Sequence, residues 1–380
     1  MGQISPISVP IIVAFALFGR GVVWKLFVTT RENLYFRQRH VISAIDEYSD
    51  MISFESINEN SEFVRFTEAI EAMQRPPYIV FYDSSNINIT LNHICNLKYI
   101  PDALSRLALI SFDTTSHLII RQKHPNIPSV LIDLDPVKDA IEEGRENRKY
   151  IIYQLVLLTR ARVCAVLAYR SIDFWAMQQD TIWIENFDSM QLEDRYPNHY
   201  MLFDTVGNDQ LGEYKRMNGW ICGSTFFVKG NPTTFQFFTQ VDTIMRSRLS
   251  PDSSIMTYLC GHKHYRCKKL PKWIISSSNY FMSERESVPV LIQVDSDQQK
   301  ETKMEMFRRA NFLFRHDNGT CDRNAVLKLR DSVRIAFPEE IRPSTYIESP
   351  LVRLHYTIKR IFNIDPLNNK VFMTVHETLV

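Results

Sequence analysis

Short apolar, β-prone runs recur through the middle of the chain, and each ends on or leads to an aspartate. Ile79-Val80-Phe81-Tyr82 ends at Asp83, Leu107 to Phe112 at Asp113, and Val130 to Leu134 at Asp135; Phe174 to Met177 leads to Asp180, and Tyr200 to Phe203 ends at Asp204. Runs that lack an alternating polar face fit strands buried on both sides, as in a parallel sheet covered by helices. Helical segments fall between them. The clearest is Arg148 to Tyr169, with a broad apolar face from Ile152, Leu155, Val156, Leu158, Val163, Val166 and Leu167. Strand and helix in alternation predict an α/β fold, in which ligands bind beyond the carboxyl ends of the strands, where these aspartates fall. Any one of the aspartates is explained as a helix cap or turn residue. Their repetition places a site without identifying its ligand.

Further along, residues 220 to 228 form another β-prone run. Thr233 to Arg248 and Asp252 to Leu259 read as helices, the second opened by Ser250-Pro251-Asp252. The pattern weakens after Trp273 to Phe281, and residues 301 to 364 read as mostly amphipathic helix whose arginines (Arg308, Arg309, Arg315, Arg330, Arg334) suit a solvated face. Upstream, residues 29 to 76 read as a polar stem with helical periodicity around Phe63 to Met73, stopped by Arg75-Pro76-Pro77. Ile4 to Phe18 is almost wholly apolar, and the character resumes from Val22 to Val28. A bilayer crossing takes about 20 residues, so residues 1–28 are expected as a membrane anchor with Arg20 and Lys25 reaching the interface, or as a signal segment. A buried N-terminal helix is the plainer alternative.

Composition narrows the function classes. With 45% hydrophobic and 23% charged residues the chain is globular rather than disordered. A net charge of +1 gives no field for nucleic acid, so an anion must be held by a local site. With 11 glycines and no GxGxxG or GxxxxGK[ST], neither a dinucleotide fingerprint nor a P-loop is expected. The six cysteines form no CxxC pair; Cys260 and Cys267 are placed either to close a short disulfide or to sit as isolated buried thiols. Asn88-Ile89-Thr90 and Asn318-Gly319-Thr320 are glycosylation sequons that favour a lumenal chain. Against that, Met1 to Ser5 carries no basic residue while Arg20, Lys25, Arg31, Arg37 and Arg39 follow, a distribution that favours a cytoplasmic bulk.

The most specific stretch is Ile172-Asp173-Phe174-Trp175-Ala176-Met177-Gln178-Gln179-Asp180-Thr181-Ile182-Trp183. It joins Ile89-Thr90-Leu91-Asn92-His93-Ile94-Cys95-Asn96-Leu97, the Asp113 strand, and Asn218-Gly219-Trp220-Ile221-Cys222-Gly223 before Phe226-Phe227-Val228. Together these resemble the nucleotide-diphospho-sugar transferase domain family, over about residues 77 to 280, in particular its divergent nematode-type members. The resemblance implies a glycosyltransferase A-type, Rossmann-like mixed sheet with flanking helices. In that fold a DxD motif ends a central strand and binds a nucleotide sugar through Mn²⁺ or Mg²⁺, because a leaving nucleoside diphosphate develops negative charge that a hard cation neutralises. Here the motif reads Gln178-Gln179-Asp180. Asp180 takes the metal position, and Gln178 replaces the first Asp, with an amide able to bond ribose hydroxyls but poor as a metal ligand.

The resemblance also implies roles for weaker candidates. Asp252 corresponds to a late acidic position facing donor or acceptor, with a helix cap as the alternative. His262 or His264 would complete the metal site, and Arg160 or Arg162 would face the diphosphate, although ordinary surface or core roles explain these side chains too. Trp175 and Trp183 read as core. The resulting expectation is a membrane segment over 1–28, a stem over 29–76, a transferase domain over 77–285 and a helical C-terminal extension over 286–380. The expected activity is cation-dependent transfer of a sugar from a nucleotide donor to a glycan or glycoprotein hydroxyl, in the Golgi or endoplasmic reticulum lumen, or outside the cell if the first segment is cleaved. A non-catalytic lumenal binding protein of the same fold is the alternative, favoured by Gln178. A hydrolase or phosphatase using the same aspartates is disfavoured, since no GxSxG elbow is present.

Overall fold

A computed structural model describes residues 39–206, 220–262, 265–276, 288–294, 302–329, 331 and 333. The expected segment 1–28, the start of the stem and His264 lie outside them. The main strands are β1 (Tyr78–Tyr82), β2 (Leu107–Ser111), β3 (Ser129–Leu131), β4 (Phe174–Gln178), β6 (Met201–Val206), β7 (Trp220–Val228) and β8 (Cys267–Lys269). They form one sheet in the order β3-β2-β1-β4-β7-β6-β8. Parallel pairing sets Tyr78 opposite both Leu107 and Trp175, whereas β7 runs antiparallel to β4 and to β6. Two reversals leave β6 pointing the same way as β4. The carboxyl ends of β1, β2, β3, β4 and β6 therefore share one end of the sheet, and the five aspartates with them. A second sheet, β5 (Thr181–Trp183), β10 (Leu291–Gln293) and β9 (Ile275–Ser276), has β10 in the middle.

The helices are α1 (39–49), α2 (Phe54–Asn58), α3 (Ser61–Glu71), α4 (Ile87–Lys98), α5 (Thr114–Lys123), α6 (Asp135–Ala140), α7 (Arg148–Tyr169), α8 (Leu192–Arg195), α9 (Pro232–Ser247), α10 (Asp252–His262), α11 (Lys303–Arg309) and α12 (Arg323–Leu327). Alternation along the strands divides the core. On one face Ile79, Phe81, Ile110, Phe174, Phe203 and Phe226 pack beneath α3, α7, α9 and α10; on the other Val80, Leu109, Trp175, Met177 and Phe227 pack against α4 and the small sheet. A third cluster lies beyond the small sheet, where Ile182 and Ile292 meet Met306, Phe307, Phe312 and Phe314.

The sequence and the fold agree closely on elements with strong periodicity. Residues 220 to 228 and 148 to 169 are the strand and the helix expected. α7 is long and apolar enough to cross a membrane, yet 83% of its apolar stretch is buried, because it lies between the sheet and α9. From residue 39 onward the expected stem departs from expectation. Val41, Ala44, Ile45, Ile57, Phe63, Phe66 and Ile70 are buried in the main core, so α1 to α3 are part of the folded body. Their apolar residues recur at helical spacing among many charges, which give the stretch a polar character on average without removing a packing face. Within the expected C-terminal extension, β10 and α11 pack into the body, and the described part of 301–364 includes the two short helices α11 and α12, joined by a loop.

Candidate functional site

Four of the five strand-end aspartates are held by nearby backbone or by a neighbour on the same helix. Asp83 caps the following turn by accepting from Ser85 N (3.0 Å). Asp113 caps α5 through Ser116 N (2.8 Å) and pins the β1 loop through Ser84 N (2.6 Å). Asp135 opens α6 and accepts from Lys138 Nζ (3.1 Å) and Thr114 N (3.3 Å). Asp204 sits where the β6–β7 register shifts, and it accepts from Gly223 N, Ser224 N and Thr225 N at 3.0, 3.2 and 3.0 Å. It satisfies amides that the irregular ladder leaves over. Gly223 has φ +75°, and a Cβ there would lie 3.0 Å from both Ser253 Cβ and Met256 Cε, so this close approach of β7 to α10 requires glycine.

Asp180 differs. It lies in the turn between β4 and β5, is 1% exposed, and both carboxylate oxygens meet side chains from far along the chain. Gln293 Nε2 donates to Oδ1 and Lys303 Nζ to Oδ2. Gln293, fully buried on β10, also donates to Gln178 Oε1 (3.1 Å) and accepts from Thr181 Oγ1 (2.6 Å). Thr181 Oγ1 reaches Thr225 Oγ1 at 3.4 Å, and His93 Nδ1 lies 2.7 Å from Thr181 O. Thr181 O can only accept, so that bond places the proton on Nδ1. Burial holds the imidazole down at about 4, against the pull of Thr181 O and the Asp180 charge.

Among the described residues, the side chains around Asp180 do not suit a divalent cation. Both Asp180 oxygens are engaged, one by an ammonium; Gln178 is neutral and its Oε1 already accepts from Gln293. Hard cations take several oxygen ligands, with carboxylates supplying the charge. Among the described residues no three His, Cys, Asp or Glu side chains converge. His262 is the last residue of α10, and its side chain is outside the described set.

The remaining candidates meet one another. Arg160, on α7, donates to Asp252 Oδ2 through Nε at 3.0 Å and through Nη2, and its guanidinium lies over the Phe226 ring. Phe226 and Thr225 point to opposite faces of β7, so this pair is on the α7 side of the sheet, and the Thr181–Gln293 cluster on the other. Arg162 donates to Asp242 (2.5 Å) and Ile52 O (2.8 Å), tying α7 to α9 and to the N-terminal helices. Trp175 and Trp183 are fully buried core residues, and Trp175 Nε1 donates to Glu193 (2.8 Å). One cavity, about 530 Å³, is lined by Arg75, Asp173, Glu193, His199 and Lys229 at the amino ends of the strands. A second, about 510 Å³, lies between the end of α4 and α12. Asp180 lines neither, so chemistry rather than cavity size identifies its surroundings. Gln293 and Lys303 carry no motif in the sequence, whereas His93 lies within the Ile89 to Leu97 stretch that carries part of the resemblance; the signal near Lys303 is Thr302-x-x-Glu305, a capping box that marks the start of α11.

The profile of the nucleotide-diphospho-sugar transferase family matches residues 102–307, more than half of the 380-residue chain. The chain belongs to this family. The match runs through β4, β5, β10 and the first residues of α11, so Asp180, Gln293 and Lys303 are all inside it. No curated protein matches the chain. Among solved structures, the galactosyltransferase LgtC, determined with donor and acceptor sugar analogues, is 8% identical with TM-score 0.43, over 68% of this chain and 96% of that one. Mouse xyloside xylosyltransferase 1 is 8% identical with TM-score 0.38, over 60% and 99%. The bifunctional glycosyltransferase WbbM is 9% identical with TM-score 0.40; the match takes in 58% of this chain but only 46% of that protein. These likenesses are distant, and the family assignment rests on the profile match.

Proposed function

We propose that this protein transfers a sugar from a nucleotide-diphosphate donor to a hydroxyl of a glycan or glycoprotein, with the donor diphosphate bound beside Asp180. One observation carries the placement. Of the five aspartates, and among the described residues, Asp180 is the one whose carboxylate meets a cationic side chain from far along the chain, Lys303, together with the amide of Gln293. In the transfer, the bond from the anomeric carbon to the leaving phosphate oxygen breaks. The acceptor oxygen bonds that carbon, and the acceptor hydroxyl's proton is released to water. Negative charge gathers on the diphosphate, and fixed positive groups or hydrogen-bond donors aimed at it lower the barrier.

A second reading, a lumenal binding protein without catalysis, is favoured by Gln178 in place of the motif's first Asp and by the neutralised Asp180 carboxylate. Both readings fit a chain in the lumen of the Golgi or endoplasmic reticulum, tethered through residues 1–28 or secreted if these are cleaved. Supporting a lumenal placement are the disulfides Cys95–Cys321 and Cys260–Cys267 and the exposed side chains of Asn88 and Asn318. Alkylation of those four cysteines in protein taken directly from cells would contradict it.

The test of function is binding and hydrolysis of a panel of UDP- and GDP-sugars by the full chain and by Asp180→Ala. Slow hydrolysis of one donor, lost in the variant while its melting stays cooperative, is the expected result. Binding without turnover selects the second reading, and failure of every donor to bind rules out both.

A further inference from the structure

We infer that Asn318 is a site of N-linked glycosylation and that Asn88 is not, although both head an Asn-x-Thr sequon. The inference goes beyond sugar transfer itself and rests on the lumenal placement proposed above. The fold puts the two sequons in unlike positions. Asn318 lies at the tip of a hairpin between α11 and α12, closed by the pairing of Arg315 with Cys321 and by donation from His316 N to Thr320 O (2.9 Å). Gly319, at φ +86°, makes the turn. Asn318 and Thr320 are both exposed, and Thr320 donates to Asn318 Oδ1 through N at 3.0 Å and through Oγ1 at 2.7 Å. The hydroxyl that makes this asparagine a sequon is therefore on the outside, beside the amide to be modified.

Asn88 is exposed as well, but it belongs to the first turn of α4. Ile89 and Thr90 behind it are 3% and 0% exposed, and Thr90 Oγ1 donates back to Asn86 O (3.3 Å). Attachment of a glycan requires the hydroxyl and the asparagine to be presented together. At Asn88 that means unwinding the start of a helix whose buried side chains pack in two core clusters. The hairpin presents both groups with the fold intact. Its base is fixed beneath the tip by the Cys95–Cys321 disulfide and by Phe312 and Phe314 in the core, so a glycan there adds bulk in solvent and disturbs no packing. In the modification, Asn318 Nδ2 bonds the anomeric carbon of an oligosaccharide carried on a lipid diphosphate. The bond from that carbon to the diphosphate oxygen breaks, the lipid diphosphate leaves, and Nδ2 gives up one proton to water.

The experiment is peptide mass spectrometry of the full chain made in a eukaryotic secretory host, before and after enzymatic release of N-glycans, for wild type, Asn318→Gln, Thr320→Ala, Thr320→Ser and Asn88→Gln. Release converts a modified asparagine to aspartate, so the mass marks its position. The expected result is a glycan at Asn318 in wild type, kept in Asn88→Gln and Thr320→Ser and lost in Asn318→Gln and Thr320→Ala. The readout needs no transfer activity, and wild type alone decides the matter if a variant does not fold. A glycan at Asn88, with or without one at Asn318, overturns the inference. An unmodified chain in which Cys95, Cys321, Cys260 and Cys267 resist alkylation overturns it and leaves the lumenal placement standing. An unmodified chain in which those cysteines alkylate overturns both.

Discussion

Asp204 accepts three backbone N–H groups and the Ser224 hydroxyl, all of which favour its ionised form, yet burial outweighs them and pushes the carboxyl up to about 6. The unfolded value is about 3.9. Below that, both states hold the proton. Between there and about 6 only the folded state does, so stability falls as pH rises through this window and is level above it. Asp204→Asn cannot ionise and loses this contribution. Urea unfolding at several pH values should show wild type losing stability relative to Asp204→Asn between pH 4 and 6, with the difference constant above; parallel curves throughout would contradict the assignment. Arg160 and Asp252 give a second expectation at this scale. Removal of one partner from a buried pair costs about 3–5 kcal/mol, because the other charge is stranded. Asp252→Asn should lose stability on that scale in urea, and Arg160→Met with Asp252→Leu should lose less than the two single changes added together. Strict additivity would show that the pair is not coupled.

Among the elements, the loop between α11 and α12 is held on α4 by two devices. Asn92 donates to Phe312 O (2.8 Å) and accepts from Phe314 N (2.6 Å), extending strand-like pairing with an amide side chain. Cys95, on the same helix, bonds to Cys321. A disulfide that closes a long loop contributes typically about 2–4 kcal/mol, chiefly by restricting the unfolded chain. Cys321→Ser should lower stability by that amount and speed proteolysis within residues 302–329 before the rest of the body is cut. Cleavage at the wild-type rate would mean that Asn92 and the Phe307, Phe312 and Phe314 cluster hold the segment alone. The same segment begins with Lys303, which pairs with Asp180. α4 itself is nearly all buried, lying between the main sheet and the cluster around Phe314, and for that reason its sequence has no clear polar face.

Over the whole molecule, the surroundings of Asp180 among the described residues come from five separated parts of the chain: α4 with His93, the β4–β5 turn, β7 with Thr225, β10 and the start of α11. The sequence by itself determined the strand-and-helix alternation, the long buried helix, the end of the sheet where aspartates gather and the family to which the chain belongs. Each of these is local: apolar runs, periodicity and residue order survive without knowledge of what packs where. The partners of each candidate were decided only by the tertiary structure. Arg160 and Asp252, 92 residues apart, bind each other, and Asp180 meets Lys303 across 123 residues. A charged residue reads the same in sequence whether it faces solvent, a ligand or an opposite charge in the interior. Desolvation and pairing, which separate those fates, arise only when the folded chain removes water and brings distant groups within hydrogen-bonding range.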